Sequence, residues 1–291
     1  MKYGQIEAMR QDYPTALLCR IFDVGSSGYY AWRGRPESPR AREDERLEVH
    51  IAAAHERARQ TYGPERLQQD LRDHGVRVGV HRIKRIRKKL KLRCKQKRKF
   101  RNTTDSNHDF PIAPNVLERN FTMTTPNEAW VSDITYVWTD EGWLYLAGIK
   151  DLFNGELVGY AMNEQMTRAL VMQALFSAVS AKRPGKGLIL HSDRGSQYCS
   201  HDYQKLLKQF GMIASMSRTG DCWDNAPMES FWGSLKNELV HHRRFATREQ
   251  ARQEITEYIE VFYNRQRKQA RLGYLSPAAF TQKFVIKQLA A

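Results

Sequence analysis

The sequence predicts an α/β protein in which a basic, all-helical N-terminal region precedes a mixed β-sheet flanked by helices. Apolar residues recur at helical spacing as far as about residue 90. A polar segment with three prolines follows at 102–127. From Trp130 onward, short runs of β-branched and aromatic residues alternate with apolar-striped helical segments, which favours a sheet with helices between its later strands.

Residues 1–40 are expected to form a short helical segment and a linker. Leu17, Leu18 and Ile21 are spaced to lie on one face of a helix, and the Gly-Ser-Ser-Gly sequence at 25–28 indicates a turn. The pattern fits a helix-turn-helix and a small hydrophobic packing hairpin about equally well. Two prolines and several charges near the end of the segment are typical of a linker.

Three further helices are predicted in a domain spanning 41–101. They cover about 42–59, 64–74 and 80–90, and Gly75 ends the second of them. A helix, a turn and then a basic helix is the arrangement of a helix-turn-helix DNA reader. This region is therefore predicted to be a helix-turn-helix-like DNA-binding domain.

The third of these helices opens a strongly basic run. Between Arg82 and Arg101 the chain has 13 Lys and Arg residues and no acidic residue. A solvated helix face is the plain alternative, but so many uncompensated charges would repel one another without a polyanion, which favours DNA contact. Phosphate contacts give such a surface affinity and not sequence choice. The candidate DNA-binding residues of this helix are Arg82, Lys84, Arg85, Arg87, Lys88 and Lys89.

The overall charge supports a nucleic-acid partner. The net charge is +15, and residues 1–110 hold 26 basic against 14 acidic side chains. The four cysteines form no CxxC pair, so neither a zinc site nor a disulfide framework is expected. The sequence has no signal peptide and no long apolar run, which predicts a cytoplasmic protein without a membrane partner. Its expected nucleic-acid partner would make it nucleoid-associated.

A linker at 102–126 is followed by a domain at 127–285. Three strands separated by turn signals are expected to form an antiparallel meander, and a short apolar strand at 187–193 is expected to be central and buried. Alternating helices and strands then follow, with a last helix at about 247–264. This order predicts a mixed sheet of ribonuclease-H type with C-terminal helices.

Three carboxylates could converge at one edge of such a sheet. Asp133 lies within the first strand, Asp193 ends the fourth and Glu229 lies in the first turn of a helix. Carboxylate oxygens suit Mg²⁺, and two such ions can clamp a scissile phosphate. The alternatives are a turn cap for Asp193 and a favourable helix dipole for Glu229. Asp151 is the best substitute carboxylate, although a hairpin-end role fits it better.

The flanking residues resemble a known family. The segments 130–136 (WVSDITY), 191–198 (HSDRGSQY) and 224–236 (DNAPMESFWGSLK) are similar to the catalytic core of DDE insertion-sequence transposases, relatives of retroviral integrases. The resemblance is closest to the second-frame product of elements encoded by two overlapping frames. It extends over nearly the whole chain, through Gly28–Trp32 and Leu272–Pro277.

The resemblance implies roles for individual residues. Asp133, Asp193 and Glu229 would be the catalytic metal ligands for Mg²⁺, two ions being expected and Mn²⁺ a possible substitute. Lys236, two helical turns after Glu229, would contact the DNA end, with an ordinary surface lysine as its alternative. The motif-supporting residues are His191, which could orient a ligand, touch DNA or simply pack in its strand, Gly195 in a tight turn, Gln197, and Asn225 as a helix cap.

The implied activity is metal-dependent DNA cleavage followed by strand transfer, in which water and then a 3′-OH attack phosphodiesters. The implied partners are the terminal inverted repeats of an element, target DNA, at least one further copy of the chain, and an upstream-frame product that is fused or separate. A ribonuclease-H-type nuclease that only hydrolyses and a catalytically inactive DNA-binding regulator are the alternative functions. One departure is Gln269, where similar sequences often have histidine. The zinc-binding His/Cys module of retroviral integrases is also missing from the sequence.

Overall fold

The computed structural model describes residues 2–95, 112–218 and 222–290. The N-terminal helices are α1 (Lys2–Met9), α2 (Thr15–Ile21), α3 (Ser26–Arg33), α4 (Pro39–Arg57), α5 (Pro64–Asp73) and α6 (Val80–Lys89). The strands are β1 (Ala129–Thr139), β2 (Gly142–Asp151), β3 (Leu157–Asn163), β4 (Ile189–Ser192) and β5 (Ile213–Met216). The later helices are α7 (Arg168–Lys182), α8 (Ser196–Cys199), α9 (His201–Gln209), α10 (Ala226–Glu238), α11 (Arg248–Glu257) and α12 (Pro277–Leu289).

The first three helices share a small core of their own. Ile6, Leu18, Cys19 and Tyr29 are buried together. The turn expected at 25–28 is instead the start of α3, because Gly25 is the N-cap and the helix begins at Ser26. Glycine and serine are favoured at helix N-termini as well as in turns, so the same residues fit both structures.

Helices α4, α5 and α6 pack against one another as the sequence predicts. The buried side chains Ile51, Leu67, Ile83 and Ile86 fill the centre of this unit. Pro64 lies in the first turn of α5, where its missing N–H costs no hydrogen bond. Gly75 has a φ of +79° just after that helix, a conformation that other residues adopt at a cost.

This helical unit packs directly on the C-terminal part of the chain. The hydroxyl of Tyr62 donates to the carbonyl oxygen of Gln266 at 3.3 Å and accepts from the Lys268 N–H at 2.7 Å. The Tyr62 ring lies 6.4 Å from that of Phe262. Arg59 forms a 2.6 Å ion pair with Glu257. The helices and the sheet domain therefore share one continuous hydrophobic core.

The five strands form one mixed sheet in the order β3-β2-β1-β4-β5. Strands β1, β2 and β3 are an antiparallel meander, and β4 and β5 run parallel to β1. The predicted meander is confirmed, and β4 is a buried interior strand between β1 and β5, although β1 is the central one. Because β1 pairs with β4, the carboxyl end of β4 opens beside the middle of β1.

Helices cover both faces of the sheet. Helices α7 and α9 pack on one face, with Leu170, Leu175 and Leu206 in the core. Helices α10 and α11 pack on the other, with Met228 and Ile255 in the core. The sequence predicts a last helix at 247–264, and α11 continues there into a π-helical turn at Tyr258–Tyr263. Helix α12 is not predicted from the sequence, because its apolar and polar residues are mixed along the segment.

Within the described residues, no helix is long and apolar enough to cross a membrane. Cys19, Cys94 and Cys199 are free thiols.

The close approach of β3 and α7 gives a test of this packing. A Cβ atom at Gly159 would lie 2.5 Å from the Ala178 backbone nitrogen and 2.6 Å from the Ala174 carbonyl oxygen, and backbone atoms cannot yield as a side chain can. We expect Gly159→Ala to lower the free energy of unfolding by about 1–3 kcal/mol or more through overpacking. Urea denaturation followed by circular dichroism measures the change.

Gly185→Ala is the matched control, because nothing lies within 4 Å of its added methyl group. Equal stability of the Gly159→Ala variant and the unchanged chain would contradict the observed packing of α7 on β3.

Candidate active site and nucleic-acid interface

Asp133 lies in the middle of β1, where the strand pairs with Gly148 of β2. Its carboxylate accepts two hydrogen bonds, one from the N–H of Ile134 at 2.9 Å and one from the indole N–H of Trp232 at 3.0 Å. Gly148 leaves room for the Trp232 ring, since a Cβ there would lie 2.8 Å from the ring. The indole of α10 therefore fixes the orientation of a carboxylate on the central strand.

Asp193 directly follows β4, at the end of the strand that pairs with β1. Its Oδ1 accepts a 2.9 Å hydrogen bond from the N–H of Gly195. The φ of Gly195 is −60°, so a left-handed backbone is not the reason for glycine here. A Cβ at this position would lie 3.1 Å from the Asp193 carboxylate, so glycine leaves the carboxylate space.

Glu229 lies in the first turn of α10 and is exposed. Lys236 lies two turns further along the same helix, with its ammonium group 5.2 Å from the centre of the Tyr136 ring. Burial lowers the pKa of Lys236, while the charge of Asp133 raises it. The lysine is therefore close to Asp133 as well as on the helix face of Glu229.

The charges of Asp193 and Glu229 act on the Asp133 carboxyl group. Burial raises the pKa of Asp133 to about 8, and the negative charges of Asp193 and then Glu229 add to the effect. Burial also raises the pKa of Glu229. A partly enclosed set of like charges is unfavourable by itself and is relieved by protonation or by a cation.

The chemistry of these donors fits a hard divalent cation, because all three groups supply carboxylate oxygens. Their present spacing is wider than a metal site requires. Over the ranges that the structure describes, no three His, Cys, Asp or Glu side chains stand close enough to hold one ion together. The two aspartates instead accept hydrogen bonds from Ile134, Trp232 and Gly195.

Asp224 and Lys150, which sequence reasoning did not identify, hold the segment before α10 in place. Asp224 is fully buried, and hydrogen bonds from Arg218 and also Arg119 hold the pKa of its carboxyl far below the usual range. Asn115 donates to the same carboxylate at 3.0 Å. Lys150 donates to the carbonyl oxygen of Pro227 at 2.8 Å and ties β2 to the start of α10. Only the three-dimensional contacts separate Asp224 from the other acids of the motif.

The motif-supporting residues His191 and Gln197 both form hydrogen bonds to other segments of the domain. His191 is buried, with ring nitrogens 2.9 Å from the Ser215 hydroxyl and 3.1 Å from that of Ser217, so it packs within the sheet. Burial lowers the pKa of His191 to about 4. Gln197 donates to the Met166 carbonyl oxygen at 3.2 Å.

The expectation that the Asn225 side chain caps α10 is wrong. Asn225 does occupy the N-cap position of α10, but its side chain makes no capping bond. It donates instead to the Ser132 carbonyl oxygen at 3.1 Å and so links α10 to the residue before Asp133. Asp151 has the expected hairpin-end role, because its carboxylate accepts from the N–H groups of Asn127 and Phe153.

The basic helix α6 differs from the expectation of uncompensated charge. Its ion pairs are Arg82 with Glu43 and Asp44, Arg85 with Asp44, Lys89 with Glu48 and Lys84, more loosely, with Glu65. Arg87 turns inward and donates to the Cys94 sulfur at 3.3 Å. The local sequence contains no acid, but α4 and α5 bring acids alongside. Lys88 is exposed and forms no such pair within the described residues.

The raised pKa of Asp133 predicts how the stability of the chain depends on pH when EDTA keeps it free of metal. Between about pH 4 and pH 8 the folded chain keeps a proton that the unfolded chain releases, so its stability falls as pH rises through this window. Asp133→Asn removes this dependence and is expected to raise the free energy of unfolding at pH 8 by about 1–3 kcal/mol. Urea denaturation at pH 5 and pH 8 measures it. Asp202→Asn, an exposed ion-paired residue, should show no such gain, and a loss of stability in Asp133→Asn at pH 8 would refute the assignment.

Family comparisons cover most of the chain. Sequence models described as an integrase core domain match residues 123–222 and residues 229–284. A model described as an HTH-like domain matches residues 41–100. A solved magnesium complex of the HTLV-2 integrase catalytic core gives a TM-score of 0.43 at 16% identity, covering 53% of this chain and 96% of that one.

The sequence relatives are much closer. The Insertion element IS600 uncharacterized 31 kDa protein of Shigella sonnei is 57% identical over 92% of this chain and 98% of its own length. The Transposase InsF for insertion sequence IS3A of Escherichia coli (strain K12) is 39% identical over 97% of this chain and 99% of its own length. With its integrase core and HTH-like domain, the chain belongs to the transposases of the IS3 family of insertion sequences, which are polynucleotidyl transferases of the DDE type.

Proposed function

We propose that Asp133, Asp193 and Glu229 hold the divalent cations with which this transposase cuts and joins the ends of its element. The proposal is supported by the positions of the three carboxylates: in the middle of β1, directly after the paired strand β4, and in the first turn of α10, whose Trp232 bonds to Asp133. Two Mg²⁺ ions, replaceable by Mn²⁺, are the proposed occupants because hard cations prefer oxygen donors. When bound, such ions stabilise charge on the attacking and leaving oxygens of a phosphodiester displacement.

The protein side chains contribute orientation and charge. Trp232 and the Gly195 N–H aim the two aspartates. Asn225 and Lys150 fix the start of α10 and thereby the position of Glu229. Lys236, on which the charge of Asp133 acts, is the residue proposed to contact the phosphate of a DNA end. Because one phosphodiester replaces another in strand transfer, no high-energy cofactor is needed.

The proposed domain division is an N-terminal helical segment and linker at 1–40, a DNA-binding domain at 41–101, a linker at 102–126 and the catalytic core at 127–285. The proposed substrates are the terminal inverted repeats of the element and target DNA, at the nucleoid. Two DNA ends imply at least a dimer in the active complex, with an upstream-frame product as a further proposed partner. The residues proposed to contact DNA in the N-terminal domain are Arg82, Lys84, Arg85, Arg87, Lys88 and Lys89.

The catalytic proposal is tested by Asp193→Asn. Replacing the charged oxygen with an amide removes an anionic ligand while keeping the shape, so we expect a loss of strand transfer of at least about 100-fold with DNA binding retained. The measurement is joined product from a labelled element end in Mg²⁺, alongside binding of the same duplex in EDTA.

Asp202→Asn is the matched control, because Asp202 is an exposed residue of α9 that pairs with Arg168. Unimpaired strand transfer by Asp193→Asn would overturn the ligand assignment. Cut ends without joined product from the unchanged chain would instead favour the purely hydrolytic alternative.

Adjacent lysines of α6 test the DNA-binding role of this helix. Lys89 is held by Glu48 at 2.5 Å, whereas Lys88 is exposed with no described acid pair. We expect Lys88→Gln to weaken DNA binding and to lower the slope of log affinity against log salt by about 0.9, the value for one phosphate contact.

Lys89→Gln is the control with the same change of charge and is expected to alter this slope less. Fluorescence anisotropy of a labelled duplex at several salt concentrations separates the two variants. Equal slopes for Lys88→Gln and the unchanged chain would show that this face of α6 does not contact phosphates.

A further inference from the structure

A cavity lined by cationic side chains lies beside the start of α10, the helix that bears Glu229. A cavity of about 230 Å³ opens between the end of β2, helix α10 and the segment after the π-helical turn. Its polar lining comes from Lys150, Gln269, Arg271, Ser230, Ser234 and Tyr263. Arg267 also lines the cavity, but its guanidinium is neutralised by a two-pronged contact with Glu238. No carboxylate is among the described lining residues.

Lys150 and Arg271 form no ion pair in the cavity among the described residues, although the charge of Asp151 acts on Arg271. Lys150 is 6% exposed, and its ammonium group bonds only to the neutral Pro227 carbonyl oxygen among the described residues. Burial and then the charges of Arg271 and Arg267 lower the pKa of Lys150 to about 7. Arg271 is exposed at the edge of the cavity and forms no ion pair within the part of the chain that the structure describes. Burying a cation without a counter-charge is costly, so an anionic ligand would stabilise this arrangement.

An independent observation points to a ligand. Gln269 is 7% exposed, and its side-chain nitrogen is buried without a hydrogen-bond partner. A buried donor left unpaired costs about 1–3 kcal/mol, which an acceptor in the cavity would recover. The Ser234 hydroxyl already donates to the Ser230 carbonyl oxygen, so the lining offers the Gln269 amide, the Ser230 hydroxyl and the side chains of Lys150 and Arg271. This set suits a phosphate group, which accepts many hydrogen bonds and carries negative charge.

The position of the cavity relates it to the DNA path. Ser230 and Ser234 are four residues apart and share one face of α10, whereas Glu229 and Lys236 share the neighbouring face, about 100° around the helix. The cavity and the proposed catalytic site therefore lie on adjacent faces of the same helix.

We propose that the cavity between Lys150, Gln269 and Arg271 binds a phosphate group of the DNA backbone near the phosphodiester that reacts. Because Lys150 also holds the first turn of α10, a phosphate seated here would secure the helix that bears Glu229. The inference rests on the proposed function only in taking DNA as the source of the phosphate. Free phosphate shares the same chemistry and is distinguished by the test.

The test uses the full chain in EDTA, so that binding is measured without cleavage. Arg271→Gln is expected to weaken binding of an element-end duplex and to lower the salt slope by about 0.9, one phosphate contact. Gln269→Glu places a carboxylate beside Lys150 and Arg271, so it should weaken DNA binding while keeping or raising the midpoint of thermal unfolding. Weaker DNA binding together with an unchanged or higher unfolding midpoint distinguishes loss of the phosphate contact from loss of stability.

Lys208→Gln is the control, because Lys208 is exposed on α9, which packs on the opposite face of the sheet. Duplexes with a single neutral methylphosphonate at successive positions locate the contact. One position should weaken binding by the unchanged chain about as much as Arg271→Gln does, and should weaken Arg271→Gln no further.

The remaining outcomes are equally decisive. Failure of every methylphosphonate position, with a rise in melting temperature on adding inorganic phosphate that Arg271→Gln abolishes, would assign the cavity to free phosphate. Absence of both effects would overturn the proposal. The catalytic proposal is tested separately through strand transfer by Asp193→Asn, so the two can fail independently.

Discussion

Burial of the Asp133 carboxyl beside two further carboxylates is the constraint on which the rest of this site depends. Asp133 has a pKa raised to about 8 by burial and by the charges of Asp193 and Glu229. Such an arrangement is unstable unless the surrounding fold imposes it. The sheet does so by pairing β1 with β4, and α10 does so by packing Met228 and Trp232 against the sheet.

Several cations near these carboxylates are held by other groups. Arg218 and Arg119 are engaged by the buried Asp224, which anchors the approach to α10. Lys150 bonds to the carbonyl oxygen of Pro227, and Lys236, whose pKa is raised by the charge of Asp133, lies over the Tyr136 ring. The raised pKa of Asp133 shows that these cations do not offset the cost of ionising its buried carboxyl, a cost that a bound divalent cation would lower.

Much of the fold could be predicted from the sequence because its signals are local. The meander of β1 to β3, the stop of α5 at Gly75 and the helix after Pro227 all follow from turn residues and apolar spacing. The positions of the three carboxylates on their elements followed in the same way. Helix α3 was missed at its start because Gly25 and Ser26 suit a turn and a helix N-terminus alike.

Features that depend on distant contacts could not be predicted. The charge of α6 is partly neutralised by Asp44 and Glu48 of α4, which lie about forty positions earlier in the chain. Asn225 bonds across to Ser132 instead of capping its own helix. The sequence predicts only that Lys150 lies in a strand. The folded chain shows that it lines the same cavity as Arg271 and Gln269.

Binding of Mn²⁺ by the full chain, followed by electron paramagnetic resonance in the presence of an element-end duplex, tests the central claim most directly. The account predicts that the unchanged chain binds the ion and that Asp133→Asn and Glu229→Gln each lower the affinity by at least about tenfold, as loss of an anionic ligand should. Undiminished binding of Mn²⁺ by a variant that lacks all three carboxylates would contradict it.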